Sequence, residues 1–263
     1  MIQCSKQADE CREVVARRSE AGAMECWCLH GALGMAADWR GFAKRLAAAQ
    51  IGSRAVDLWR FLEGQELPLA DFGAALNADA GGEVLRGGAR SLLGYSLGGR
   101  LALHALLEPS HPWQAAVIIS ANPGLDAEEE RAARRAQDAA WAARALTGNW
   151  QEFFQAWAAQ PILNTSAPRD PQAAARLAMR RREIARSFVD WSLGAQAPLW
   201  SRLQEIQIPV LWVVGENDAK FRALAERAVG LLPRATLAIA PGSGHRVPWE
   251  AEAWLAEQVA GFR

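Results

Sequence analysis

Ser96 stands in the run Gly94-Tyr95-Ser96-Leu97-Gly98, between the apolar pair Leu92-Leu93 and the helix-compatible stretch Leu101 to Leu107. A Gly-x-Ser-x-Gly run between a strand and a helix makes a turn so tight that only small residues fit beside the serine. The strained serine is then held out at the end of the sheet. A serine hydroxyl becomes a nucleophile or base only when a neighbour takes its proton. That neighbour is commonly a histidine oriented by a carboxylate, and in a strand-turn-helix setting the chain order is Ser, acid, His. The sequence supplies this order. Asp218 lies in the loop Gly215-Glu216-Asn217-Asp218 after Val210 to Val214, and His245 ends Pro241-Gly242-Ser243-Gly244-His245 after Thr236 to Ile239. Taken singly, a loop aspartate is more often a cap and a loop histidine a solvated group, and Glu216 competes with Asp218. In this order, each after a strand, the three predict a Ser96-His245-Asp218 triad. The backbone N–H groups of Leu97 and Ala32 are expected to form an oxyanion hole. His30 reads as a brace of the Ala32 loop, and His104 and His111 as structural.

The elements that must hold these residues alternate. Strands are expected at Glu25 to Leu29, Ser53 to Leu58, Ser91 to Gly94, Ala115 to Ser120, Ile208 to Gly215 and Ala235 to Ile239. Helices are expected at Asp38 to Ala49, Asp71 to Ala80, Arg100 to Leu107 and Pro248 to Phe262. That rhythm predicts an α/β fold with a mostly parallel, doubly wound sheet, with sites at the C-terminal strand ends. From about 122 to 200 the β-branched runs stop and Ala, Arg, Glu, Gln and Trp dominate. This block reads as helices broken at Gly148 and around Pro161 to Pro171, inserted as a lid over the site. Residues 1–24 read as a polar arm.

Composition narrows the function classes. The 263 residues carry 29 Lys+Arg against 29 Asp+Glu, so no net charge points to nucleic acid or a membrane surface. No apolar run approaches the ~20 residues of a membrane span, and the first 25 residues lack an apolar leader core, so a cytoplasmic protein is expected. Cys26 and Cys28 share one face of a strand, one residue short of usual zinc spacing, and with Cys4 and Cys11 read as free thiols, the strand pair buried. Neither a metal nor an organic cofactor is expected. The sequence leaves the oligomeric state open.

Residues 25 to 263 resemble the α/β-hydrolase superfamily. Finer features are similar to one branch, the 2-succinyl-6-hydroxy-2,4-cyclohexadiene-1-carboxylate synthases of menaquinone biosynthesis. They are the elbow through Arg100, Ser120-Ala121-Asn122-Pro123-Gly124-Leu125, Glu128-Glu129-Glu130-Arg131 with Arg134, the Phe153 to Pro161 segment with Trp157, Gly215-Glu216-Asn217-Asp218-Ala219-Lys220-Phe221, and Gly244-His245. The resemblance implies a lyase in which the triad acts as a base. Ser96, activated by His245 and Asp218, takes a proton and pyruvate is expelled. The implied partner is a small polycarboxylate, which calls for guanidinium forks. Arg100, one helical turn past Ser96, can face the same pocket. Arg131 or Arg134 and Trp157 are implied from the lid. A further lid arginine is expected among Arg176, Arg180, Arg181 and Arg182. Tyr95 is a candidate pocket residue. Lys220 is another, unless with Phe221 it only braces the acid loop.

The chain departs from the branch after the second strand. Asp57-Leu58-Trp59-Arg60-Phe61-Leu62-Glu63 replaces the usual Asp-x-Pro-Gly-His-Gly, near the pocket mouth. It also lacks a clear opening β-hairpin. A carboxylic-ester hydrolase using the same triad through an acyl-enzyme is the alternative activity. A cationic pocket favours the lyase, and a long apolar groove the esterase. A binding protein that has lost turnover is disfavoured by the intact Ser, Asp and His.

Overall fold

The apolar runs pair side by side into one sheet. In a computed structural model, which describes residues 22–64, 66–82, 88–163, 165, 167 and 170–262, the strands are β1 (Gly22–Leu29), β2 (Gly52–Val56), β3 (Gly88–Tyr95), β4 (Ala115–Ile119), β5 (Val210–Gly215) and β6 (Ala235–Ala240). Their order is β2-β1-β3-β4-β5-β6, and every pairing among the described residues is parallel. Helices α1 (Arg40–Ala48), α2 (Leu69–Gly82) and α3 (Leu97–Leu106) follow β1, β2 and β3. Four helices fall between β4 and β5: α4 (Glu128–Thr147), α5 (Trp150–Ala158), α6 (Ala173–Ala178) and α7 (Arg181–Asp190). Then come α8 (Ala219–Val229), α9 (Val247–Glu250) and α10 (Glu252–Gly261).

Alternation along each strand sorts side chains between two faces. In β1, Cys26 and Cys28 join the layer of Phe42, Leu46, Leu255 and Val259 from α1 and α10. Trp27 and Leu29 point the other way, into the layer that holds Phe72 and Leu76 of α2, Leu101 and Leu103 of α3, and Ala225 of α8. Helices thus cover both faces, as a buried parallel sheet requires. Cys26 and Cys28 are buried free thiols, as expected, with Sγ atoms 3.9 Å apart; Cys4 and Cys11 lie outside the described residues.

Several element boundaries shift from expectation, and three of the shifts have a local account. Residues 1–21 of the expected arm lie outside the described residues, but Gly22 to Met24 belong to β1, where Gly22 pairs with Gly88 of β3. The helix expected from Asp38 begins at Arg40. Asp38 instead closes a 3-10 turn by accepting the Met35 N–H at 2.9 Å. The last helix is split at Ala251, whose φ of −135° and ψ of 41° break the helical run. The lid breaks where Gly148 and the Pro161 to Pro171 stretch predict. Its helices meet through Trp141, Phe153, Trp157 and Phe188, which pack edge to face with centroids 5.0 to 6.2 Å apart.

Candidate active site

The chain runs outward from β1 to β2, then returns past β1 to β3. Ligands bind beside the strand ends at such a reversal. The loops after β1 and β3 carry Ala32 and Ser96.

Ser96 caps α3 with φ 52° and ψ −109°, a left-handed backbone that costs a serine on the order of 1–3 kcal/mol. Its N–H is tied to the Ile119 carbonyl of β4 at 2.8 Å. The flanking glycines leave no alternative, since a Cβ on Gly94 would run into the Gly98 carbonyl and one on Gly98 into that of Leu29. The strain therefore aims Oγ at the histidine. His245 Nε2 lies 3.1 Å from Ser96 Oγ, and His245 Nδ1 lies 2.8 Å from Asp218 Oδ2. Asp218 and His245 are buried, and Asp218 also caps α8, its Oδ1 accepting the Phe221 N–H at 3.4 Å. Phe221 packs against the imidazole with centroids 4.4 Å apart. The sequence brought three distant positions into one hydrogen-bonded line, the geometry in which imidazole takes the serine proton while the carboxylate fixes its tautomer. Glu216, the competitor, is exposed and accepts the Gly242 N–H instead.

Ala32 and Leu97 both line the cavity that holds Ser96 and His245. The Ala32 turn is closed by Gly34 N–H to Gly31 O at 3.0 Å. His30 braces it. Its Nε2 accepts the Leu58 N–H at 3.2 Å, so Nδ1 carries the proton and donates to Gly31 O at 2.9 Å. Burial pulls the pKa of His30 down to about 4, which keeps it neutral. The unexpected Asp57 to Glu63 segment finishes this support. It forms a 3-10 turn in which the Trp59 indole N–H donates to Gly34 O at 2.9 Å.

The cavity roof comes from the lid. Arg134, Gln137, Asp138, Trp141, Trp157, Gln160, Ser187, Phe188 and Ser192 share it with Ser96 and His245, and Arg100 of α3 lines it as well. Arg100 is buried, and its donors meet Gln196 Oε1 at 2.9 Å and the Trp191 carbonyl at 2.7 Å. Burial, then the like charge of Arg134, draws its pKa down to about 9, opposed by Asp138, so it is still a cation at neutral pH. Arg134 donates through Nε to both oxygens of Asp138 at 2.9 Å, and Ser192 Oγ donates to the same carboxylate at 2.7 Å.

Several expected substrate residues lie elsewhere. Arg131 is tied to Glu128 one turn back on α4 and is absent from the cavity wall. Lys220 is exposed on the first turn of α8, away from the wall, because Asp218 caps that helix and turns position 220 to solvent. Tyr95 packs behind the triad, 5.6 Å from the His245 ring and 5.3 Å from Trp249, because strand alternation turns it to the α1 side of the sheet. None of Arg176, Arg180, Arg181 and Arg182 reaches the wall. Arg176 pairs with Asp170, Arg180 with Asp57 and Glu63, and Arg181 with the carbonyls of Ala145 and Gly148. Sequence reading missed Gln137, Asp138, Gln160, Ser187 and Ser192. The i,i+4 spacing of Arg134 and Asp138 was the one available signal. It also missed, as a cavity residue, Ser120, whose φ is 47° and whose buried Oγ has no partner among the described residues. Among the described residues no cluster of three His, Cys, Asp or Glu is placed to hold a metal ion, and no helix is long and apolar enough to cross a membrane.

The chain is 36% identical over 137 residues to the 2-succinyl-6-hydroxy-2,4-cyclohexadiene-1-carboxylate synthase of Klebsiella pneumoniae subsp. pneumoniae, covering 51% of this chain and about half, 54%, of that protein. It is 32% identical over 240 residues to the protein of the same name from Pectobacterium atrosepticum, covering 89% of this chain and 92% of that one. The structure of MenH from S. aureus matches the fold with a TM-score of 0.79 at 22% identity, over 92% and 93% of the two chains. The carboxylesterase CesB (YbfK) from Bacillus subtilis matches with a TM-score of 0.61 at 21% identity, over 92% and 85%. A model of the alpha/beta hydrolase family matches residues 28–258. Because that match runs from β1 into α10 and takes in all three members of the triad, this chain belongs to the alpha/beta hydrolase family.

Proposed function

We propose that this protein is a lyase that eliminates pyruvate from an enolpyruvyl cyclohexene-carboxylate, leaving the cyclohexadiene-carboxylate for which its synthase relatives are named. One observation carries the choice over ester hydrolysis. A buried guanidinium, Arg100, lines the same cavity as Ser96 and, among the described residues, is held by neutral acceptors alone. A fixed cation without a carboxylate partner suits an anionic substrate and is wasted on a neutral ester.

The chemistry follows from the triad. His245 Nε2 takes the Ser96 proton, and the resulting alkoxide removes a proton from a ring carbon of the substrate. The electron pair left on carbon forms the new ring double bond, and the bond to the enolpyruvyl oxygen breaks. The pyruvate enolate takes up the proton held by His245 and leaves as pyruvate, while Ser96 keeps the ring proton, so both groups return to their starting state. Negative charge that develops on a substrate oxygen faces the N–H groups of Leu97, at the start of α3, and of Ala32, in the loop after β1. The test supplies the enolpyruvyl substrate and follows pyruvate with a lactate dehydrogenase couple, alongside chromogenic short-chain esters. Pyruvate release with slow ester cleavage is expected. Ester cleavage without pyruvate release overturns the proposal.

A further inference from the structure

Gln196 sits on the return from the lid to β5, buried, and outside the cavity wall itself. Its side chain bridges two parts of the molecule. Nε2 donates to the Pro123 carbonyl at 2.7 Å, in the loop that leaves β4. A carbonyl only accepts, so the amide is fixed with Oε1 toward Arg100, 2.9 Å from its terminal nitrogen. The same loop is anchored around it by Leu199 N–H to Pro123 O at 2.9 Å and the Trp200 indole to Gly124 O at 3.0 Å. Arg100 is thus held rigidly by two neutral oxygens. Among the described residues no carboxylate lies within ion-pair distance of it. The acid nearby in the cavity, Asp138, is occupied by Arg134 and Ser192.

We propose that Gln196 is a positioning residue for substrate recognition: it orients the Arg100 guanidinium through a neutral amide so that its charge is left for a carboxylate of the substrate. This rests on the reading of the substrate as a polycarboxylate. The chemistry of the side chain carries it. A glutamate at 196 would orient Arg100 equally well, and bond it more strongly, but would cancel its charge. Orientation alone and orientation with charge reserved therefore predict opposite orders for two variants. If Gln196 only buttresses Arg100, Gln196→Glu is milder than Gln196→Met. If it reserves the charge, Gln196→Glu is the more damaging to anion binding, although both lose the bond to Pro123.

The test uses full-length wild type, Q196E and Q196M. Ser96 is modified with the neutral reagent phenylmethylsulfonyl fluoride, and protection by succinate is compared with protection by dimethyl succinate. Succinate is expected to protect the wild type. The half-protecting concentration should rise about tenfold or more in Q196E and less in Q196M, as expected when a charge-assisted pair is lost. The unprotected modification rate should be unchanged within about twofold, which reports an intact triad. Dimethyl succinate should not distinguish the three proteins. In the pyruvate assay, Q196E should raise KM with little change in kcat. Protection of Q196E equal to wild type, greater loss in Q196M, or no succinate protection of the wild type overturns the proposal. Absence of pyruvate release with the protection order intact overturns the lyase reading and leaves anion recognition by Arg100 and Gln196 standing.

Discussion

The φ of 52° at Ser96 ties stability to reactivity in a single residue. Ser96→Ala is expected to lower kcat by at least ~10³-fold with the fold retained, since the hydroxyl is the reacting group. Ser96→Gly should be equally inactive yet raise Tm, because glycine adopts this backbone without the side-chain clash, a gain of roughly 1 kcal/mol. Calorimetry of the two inactive variants separates strain from chemistry, and a Tm for Ser96→Gly below that of Ser96→Ala contradicts the strain argument. The arginines divide by environment. Arg100→Ala should raise KM about tenfold or more for the carboxylated substrate, because the buried fork faces the cavity. Arg131→Ala and Lys220→Ala should leave kcat and KM within about twofold, their side chains lying on the surface or paired outside the wall.

Among the elements, the segment after β2 does the work of a bracket. Asp57 caps the Leu58–Leu62 turn through the Trp59 N–H. Trp59 and His30 then hold the turn carrying Ala32, while Arg180 at the start of α7 pairs with Asp57 and Glu63. The segment is therefore a support for the Ala32 loop and a tie to the lid. Trp59→Phe keeps the ring and removes one buried hydrogen bond, so a loss of about 0.5–1.5 kcal/mol is expected. It should come with a lower kcat and an unchanged KM if the Ala32 N–H serves the transition state as proposed. Steady-state kinetics with a denaturant melt read both, and an increase in KM alone would assign the segment to substrate binding instead. Arg180→Ala removes a half-exposed pair and should cost under about 1 kcal/mol globally. It should nonetheless speed amide hydrogen exchange in α7, where the tie to the core is local.

Across the whole molecule, buried titratable groups set the acid limit. Burial lowers the pKa of His30 to about 4. It lowers that of His104 to about 4 as well, with the charges of Arg100 and Arg202 adding to it. Both values lie below the ordinary 6.5, so as pH falls through 6.5 toward 4 the unfolded chain binds these protons first and stability drops. Asp38 works in the opposite sense. Burial raises its pKa from 3.8 to about 6, so its protonated form is favoured in the fold and stability is lost as pH rises through that window. With two histidines against one aspartate, Tm should fall on acidification from 6.5 to 4. His104→Gln should flatten that limb, and an unchanged slope would remove His104 from the account. His104 is the choice because its Nε2 is buried without a partner among the described residues, whereas His30 holds the Ala32 loop.

The sequence by itself determined the strand-helix alternation, the elbow at Ser96, the order of Asp218 and His245, and the lid between Ala121 and Trp200. Each of these is local. Periodicity sets which side chains are buried, glycine spacing sets the turn, and a loop that follows a strand must open at its C-terminal end. What only the tertiary structure decided is which charges on an arginine-rich lid remain available. Arg131, Arg134 and Arg176 meet carboxylates within six positions of themselves, which local spacing can suggest, but Arg180 meets Asp57 from 123 positions away, which it cannot. Arg100 meets Gln196, 96 positions away, and a pairing across such a distance is fixed by how the lid closes on the sheet, where no local pattern records it.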